Sequence, residues 1–192
     1  YFHEQATKQL NSKHKGSLFG VPFGVKDIFN TEVLPTEMGS LAWKGHTPGN
    51  DARCVAELRR AGGIVAGKTD TAELAVHHPG KALNPWDTAR HTGTSSGGSA
   101  VAVSTASVPF ALSTQTAGST IRPSSWCGIY GMKPSFGLIP RTGVLKTTDT
   151  LDNIGFMGRS IEDLRLILNI ARVNGPNYPN VENGLKSFEL KI

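Results

Sequence analysis

The chain has 192 residues, of which 38% are hydrophobic and 18% charged, a composition typical of a loop-rich globular protein rather than a disordered or fibrous one. Its 20 basic and 15 acidic residues give a net charge of +5, but the basic residues are scattered, so nucleic-acid binding is not expected. Cys54 and Cys127 are too few for a disulfide framework, and we find no signal or membrane-spanning run. We therefore expect a cytoplasmic protein without membrane contact.

The first predicted elements alternate between strand and helix. The run SLFGVPFGVKDIF predicts a buried strand with glycine punctuation. The segment NDARCVAELRRAGG predicts a helix that is capped by Asp51 and ended by Gly62 or Gly63. After it, IVAG predicts a short buried strand and TAELAVH a helical turn.

The later elements continue this alternation. NPWDTARHTG predicts a turn-rich loop, SGGSAVAVSTAS a helix of small residues, and VPFALST a strand. QTAGSTIRPSSW and IYGMKPSFGLIPRTGV are predicted to be irregular, whereas SIEDLRLILNIARVNG predicts an amphipathic helix with a capping box formed by Ser160 and Asp163. Strands alternating with helices predict an α/β fold in which a mixed sheet is layered with helices.

Two serines and a lysine stand out as candidates for chemistry. Ser95 in GTSSGG and Ser119 in TAGS lie 24 residues apart in glycine-containing loops, which are the usual settings of nucleophiles and oxyanion donors. Lys26 in FGVKD lies 69 residues before Ser95.

A serine nucleophile needs a base, which is most often histidine. None of the histidines lies in a setting that singles it out; they are His3, His14, His46, His77, His78 and His91. A lysine can serve only when neutral, so its pKa must fall by roughly 3 units, a bias of about 4 kcal/mol that burial can supply. The alternative is that Lys26 is a strand-end lysine paired with Asp27.

From about Phe19 to Gly175, the chain resembles the amidase signature family, whose members cleave amides with two serines and a lysine. In these enzymes a helix comes just before the first core strand, as FHEQATKQL does here. Family members usually run to more than twice this length. The resemblance therefore implies one amidase domain over residues 1–192, truncated at both ends, with NVENGLKSFELKI stopping before a closing element.

The resemblance also assigns roles. Ser119 would be the nucleophile, Ser95 would relay its proton after a cis peptide bond, and neutral Lys26 would be the base. The flanking Gly93, Gly97 and Gly98 fit a backbone with unusual dihedral angles. The oxyanion hole would be formed by the backbone N–H groups of Thr116, Ala117, Gly118 and Ser119.

Three positions depart from the family pattern. Thr94 stands where glycine is common, Gln115 stands where many members have an acid, and Arg122 follows Ser119 by three residues instead of two. These differences favour a free-standing amidase over the transamidosome subunit that releases ammonia from glutamine. Arg122 could bind a substrate carboxylate or pair with a nearby acid, and we favour the structural role.

Two other motifs fit known sequence patterns but lack the predicted structural context that those patterns require. GGIVAGKT, residues 62–69, fits the phosphate-loop pattern, but a helix precedes it and its centre is predicted to be a strand, the reverse of a phosphate loop. GTSSG around Ser95 fits a hydrolase elbow, but no strand enters it and no histidine follows it.

The sequence therefore predicts hydrolysis of a carboxylic amide through a serine acyl-enzyme, with a small-molecule amide as substrate. No cofactor is expected, and no metal, because neither the cysteines nor any His or carboxylate group has ligand spacing. The oligomeric state stays open, with a homodimer among the alternatives. The competing hypothesis is an inactive amidase-like fragment that binds a partner through an exposed sheet edge.

Overall fold

The computed structural model describes residues 1–11 and 15–175, so the predicted unclosed end at 180–192 and His14 lie outside the described residues. Within these residues the chain forms five α-helices and two short 3₁₀ turns, Leu41–Trp43 and Glu73–Ala75. The helices are α1 Phe2–Leu10, α2 Arg53–Arg60, α3 Gly97–Ser104, α4 Ile121–Trp126 and α5 Ile161–Ala171.

Five strands form one mixed sheet, as predicted. They are β1 Pro22–Lys26, β2 Ile64–Thr69, β3 Phe110–Gln115, β4 Tyr130–Met132 and β5 Asn153–Gly158, in the spatial order β2-β1-β3-β5-β4. β1 runs parallel to both β2 and β3, whereas β5 runs antiparallel to both β3 and β4. The carboxyl ends of β1, β2 and β3 and the start of β5 therefore lie at the same edge of the sheet.

Alternating side chains on the central strands cover both faces of the sheet. On one face, Phe110 and Leu112 join the larger core with residues of α2 and α5, and the Phe110 ring stacks on Phe23 at 5.2 Å between centroids. On the other face, Ala111 packs with Ala100 of α3 in a smaller cluster. This layering leaves the loops at the edge just described as the place where polar side chains can converge.

The two predicted helix caps have different outcomes. Ser160 accepts a hydrogen bond from the Asp163 amide at 3.0 Å, which confirms it as the N-cap of α5. The predicted Asp51 cap is wrong: α2 starts after Ala52 without a side-chain cap. The Asp51 carboxylate instead accepts a hydrogen bond from the Glu32 amide and pairs with Arg59, so both of its oxygens have partners outside the first turn of α2.

Candidate active site

Lys26 is the last residue of the central strand β1 and its side chain is fully buried. Its Nζ lies 2.9 Å from each of three hydroxyl oxygens, those of Ser95, Ser96 and Thr114. Burial lowers the pKa of Lys26 to about 7, against an opposing Coulombic contribution from Asp152. The amine is therefore available in its neutral form near neutral pH.

The hydroxyl protons limit how this amine is bonded. Ser96 donates its own proton to the carbonyl oxygen of Thr114 at 3.2 Å, so it accepts a hydrogen bond from Nζ. A neutral amine has two N–H groups and one lone pair, which leaves one N–H and the lone pair for Thr114 and Ser95. With Thr114 accepting, the lone pair faces the Ser95 hydroxyl and can take its proton.

The turn that carries Ser95 is held tightly against the end of β2. The carbonyl oxygen of Ser95 accepts hydrogen bonds from Thr71 Oγ1 at 3.0 Å and from the Ala72 amide at 3.2 Å. A Cβ on Gly98 would lie 2.4 Å from the carbonyl oxygen of Asp70, so this position must stay glycine for α3 to approach β2. Ser95 is consequently buried, with 1% of its surface exposed.

The backbone before Ser95 differs from the expectation. The described residues contain no cis peptide bond, so the bond between Thr94 and Ser95 is trans and the predicted cis bond is wrong. Thr94 instead has φ +147°, which is a strained value for a β-branched residue, and Gly93 has φ +109°. At Gly97 and Gly98 small size rather than positive φ explains the glycine, which corrects the expectation of unusual dihedral angles there.

Ser119 lies on the loop that follows β3 and is half-buried. It lines a cavity together with Ser95, Thr114 and Thr116. No hydrogen bond joins the Ser95 and Ser119 hydroxyls within the described part of the chain, an arrangement common in unliganded sites, where catalytic contacts are often long.

The oxyanion loop, defined as residues 116–119, has free donors. Among the described residues, the backbone N–H groups of Ala117, Gly118 and Ser119 have no hydrogen-bond partner. The Gln115 side chain satisfies the next two amides instead, accepting from Thr120 and Ile121 at 2.9 Å each. Gln115 thus holds the start of α4 and leaves the loop amides available.

Arg122 is exposed on α4. Its guanidinium lies within 3.5–3.7 Å of the position that a Cβ on Gly118 would occupy, so it covers the outside of the oxyanion loop. It is absent from the described lining of the cavity that contains Ser119. Among the described residues Arg122 forms no ion pair with an acid, so pairing with an acid and carboxylate binding both stay predictions.

Sequence reasoning missed Ser96, Thr114 and Asp152. The first two contact Lys26, and Asp152 lines the cavity beside Ser119. Ser96 adjoins Ser95 in the quoted motif and could have been noticed. Thr114 lies on β3 and Asp152 directly precedes β5, and the sequence does not reveal the register of these two strands.

The two motifs set aside in the sequence fit that interpretation. Residues 64–69 form strand β2, and Lys68 turns inward to the carbonyl oxygens of Phe29 and Pro35 and to Thr36 Oγ1. A phosphate loop is therefore excluded there. The loop before Ser95 is not a strand, so the hydrolase elbow is excluded as well. His91 accepts from the Gly93 amide at 2.9 Å, and no histidine of the described residues lines the cavity.

Comparisons with known proteins agree with this fold. A sequence model of the Amidase family matches residues 3–183, so the chain belongs to the Amidase family. It is 37% identical over 173 residues to a subunit of the glutamyl-tRNA(Gln) amidotransferase of Methanosarcina mazei, covering 87% of this chain and 36% of that protein.

Solved structures are also similar to this chain over most of its length. The peptide amidase of Stenotrophomonas maltophilia superposes with a TM-score of 0.84 at 31% identity, over 93% of this chain and 40% of that one. The corresponding glutamyl-tRNA(Gln) amidotransferase subunit of Thermotoga maritima superposes with a TM-score of 0.80 at 29% identity, over 92% and 44%. The chain thus spans less than half the length of these relatives. Within the described residues, no helix is long and apolar enough to cross a membrane.

Proposed function

We propose that this chain carries the serine–serine–lysine machinery of an amidase, which hydrolyses a carboxylic amide through an acyl-enzyme. The observation that carries the proposal is the buried Lys26 amine, bonded at 2.9 Å to the hydroxyl of Ser95, which lines the cavity that contains Ser119. An amine with a pKa of about 7 can accept a proton at neutral pH, which an ordinary lysine cannot.

In the proposed mechanism Ser119 attacks the amide carbonyl as its proton passes through Ser95 to Lys26. Free N–H groups of the oxyanion loop stabilise the negative charge on the carbonyl oxygen, each donor being worth about 3–4 kcal/mol in such sites. The proton then returns to the leaving nitrogen, and water releases the acyl group by the reverse path. Every step uses this chain's own residues, which is why no cofactor is invoked.

The substrate is proposed to be a small-molecule linear amide. The relatives include both a peptide amidase and an amidotransferase subunit, so the preference for a free-standing enzyme stays a prediction that rests on Thr94, Gln115 and Arg122. Association with a partner protein or as a homodimer is equally a proposal, as is a cytoplasmic location, which the buried free thiols of Cys54 and Cys127 support.

A fluorophosphonate probe tests the proposal directly. We expect it to label Ser119, and we expect labelling to be lost in Ser119→Ala and strongly slowed in Lys26→Ala, with turnover of any accepted amide abolished in Ser119→Ala. Ser107→Ala, which removes an exposed hydroxyl near the end of α3, is the control and should label like the parent. A folded sample that is not labelled would instead support the inactive, partner-binding fragment, and residual turnover above about a few per cent in Ser119→Ala would contradict the nucleophile.

A further inference from the structure

Asp152, the residue just before β5, joins three segments that surround the cavity. Its Oδ1 accepts hydrogen bonds from the hydroxyls of Thr116 at 2.5 Å, Thr147 at 2.8 Å and Thr148 at 3.2 Å. Its Oδ2 accepts from the amides of Thr147 at 2.6 Å and Thr148 at 2.9 Å. One carboxylate thus ties the oxyanion loop and the turn at 147–148 to the start of β5.

These contacts require an ionised carboxylate, because all five partners donate. Burial alone would raise the pKa of Asp152, but the hydrogen bonds from Thr116, Thr148 and Thr147 outweigh it and lower the pKa to about 2. Asp152 therefore keeps its negative charge throughout the pH range in which Lys26 titrates.

Asp152 affects both parts of the proposed machinery. Thr116, its partner, is the first residue of the oxyanion loop, and the carboxylate lines the same cavity as Ser119. Its charge also acts on Lys26, whose other neighbours are the uncharged hydroxyls of Ser95, Ser96 and Thr114.

The nearest other acid along the chain does not take this role. Asp27 follows Lys26 directly, but its carboxylate pairs with Lys68 at 3.0 Å. Among the described residues, Asp152 is the charged group whose Coulombic interaction raises the pKa of Lys26.

We propose that Asp152 is a positioning residue of this site: it fixes the oxyanion loop through Thr116 and places a negative charge in the cavity lined by Ser95 and Thr114, both of which contact Lys26. The kinetic part of this inference rests on the proposed amidase function, whereas the electrostatic part does not. Asp152 contacts neither nucleophile nor base, so it acts through Thr116 and through its field.

Three variants separate these two roles. Asp152→Asn removes the charge and disturbs the five-donor arrangement, Thr116→Val removes only the link to the loop, and Asp149→Asn is the matched control, since the Asp149 side chain is 84% exposed in the same turn. We expect kcat to fall about 100-fold in Asp152→Asn and about 10-fold or more in Thr116→Val, because a small misplacement of a catalytic group has effects of this size. KM should change less than kcat, and Asp149→Asn should match the parent.

The pH dependence distinguishes positioning from a purely structural role. Because the Asp152 charge raises the pKa of Lys26, its removal should lower that pKa and move the acid limb of kcat/KM to lower pH. Thr116→Val and Asp149→Asn should leave the limb in place. NMR titration of the ¹³C-labelled Lys26 side chain gives the same comparison without any turnover.

The outcomes decide each part. If Asp152→Asn changes neither kcat nor the Lys26 titration relative to Asp149→Asn, the proposal is wrong. If Asp152→Asn fails to fold, Thr116→Val decides, and a kcat within twofold of the parent overturns the loop role. If the parent shows no amidase activity but the Lys26 titration still shifts, the amidase function fails and the electrostatic role of Asp152 stands.

Discussion

Two buried lysines on neighbouring parallel strands have opposite environments. Lys26 at the end of β1 is fully buried and bonded to three hydroxyls, none of which carries a charge. Lys68 on β2 is nearly as buried, but it pairs with the Asp27 carboxylate at 3.0 Å and donates to two backbone carbonyls and the Thr36 hydroxyl. Burial lowers the pKa of both amines, but Asp27 opposes the shift at Lys68, and only at Lys26 does the pKa reach about 7.

The difference teaches that the partners of a buried amine, and not only its burial, decide its chemical use. A carboxylate favours the ammonium and makes Lys68 a structural tether between β2 and the loop at 29–36. A hydroxyl group can donate or accept a hydrogen bond, so the three hydroxyls can pair with the Lys26 amine whether it is neutral or protonated. Lys26 can therefore release and accept a proton without losing its hydrogen-bond partners. The comparison also answers the alternative raised for Lys26, because Asp27 pairs with the other lysine.

The largest expected effect is on turnover, and it tests the proposed chemical role of Lys26. Lys26→Met should reduce amide turnover by about 10³-fold or more, the usual cost of losing one member of a catalytic triad. Lys68→Met, assayed on its folded fraction, should stay within about tenfold of the parent. Turnover and folded fraction are measured on the same samples, and equal losses in both variants would mean that Lys26 has no special role.

The structural role of Lys68 is tested by the free energy of unfolding. Lys68→Met leaves the Asp27 carboxylate largely buried without its cation, so we expect the free energy of unfolding to fall by about 2–3 kcal/mol, somewhat less than for a fully buried pair. Lys68→Met combined with Asp27→Asn should recover part of the loss. Denaturant unfolding gives these values, and Lys8→Met is the control, because the Lys8–Glu4 pair is exposed to solvent and should contribute little to stability.

A third prediction concerns pH. In the proposed mechanism neutral Lys26 is the base, so kcat/KM should fall about tenfold per unit as the pH drops below about 7, in one protonation step. The folded pKa lies below the unfolded value of 10.5, so the unfolded chain binds more protons between them and stability should rise with pH over this window. A rate that stays flat down to pH 5 would exclude a lysine base, and Lys26→Met should lack the stability trend.

The fold class and the neighbouring site residues followed from local patterns, whereas some elements did not. Lys26, Ser95 and Ser119 lie at local motifs, and the structure brings Lys26 into contact with Ser95 and places Ser95 and Ser119 in one cavity lining, while their catalytic roles stay a prediction. Strand β5 went unpredicted because all six of its residues are buried, which removes the alternation that marks a half-buried strand. Helix α4 was missed because Pro123 stands in its first turn, where proline is tolerated but resembles a loop signal.

Two of the residues that surround Lys26 and the cavity could not be predicted from the sequence, for a different reason. Thr114 and Asp152 are ordinary polar residues in sequence, and only the antiparallel pairing of β3 with β5 brings them to one edge. The cis peptide bond before Ser95 was expected from resemblance alone. The structure has a trans peptide bond there, preceded by Thr94 with a strained φ angle. Local motifs therefore indicated which groups are candidates for chemistry, whereas the environment of those groups depended on long-range strand register.

The smallest expected effects sharpen the comparison with a matched pair of threonines. Thr36 accepts a hydrogen bond from Lys68 at 2.8 Å and Thr114 accepts one from Lys26 at 2.9 Å, so a valine at either position removes one hydroxyl acceptor from a buried lysine. Thr36→Val should cost about 1–2 kcal/mol of unfolding free energy and leave the rate unchanged, because Lys68 keeps its carboxylate and its carbonyls.

Thr114→Val should act in the opposite way. The amine of Lys26 loses the partner that orients its lone pair towards Ser95, so we expect turnover to fall about tenfold. The released N–H can still donate to the Ser95 hydroxyl, so the free energy of unfolding should fall by no more than about 1 kcal/mol. Steady-state kinetics and denaturant unfolding on both variants give a two-by-two comparison. Were Thr36→Val to slow turnover as much as Thr114→Val, the two lysine environments would not be functionally distinct, and the division between a structural and a chemical lysine would have to be abandoned.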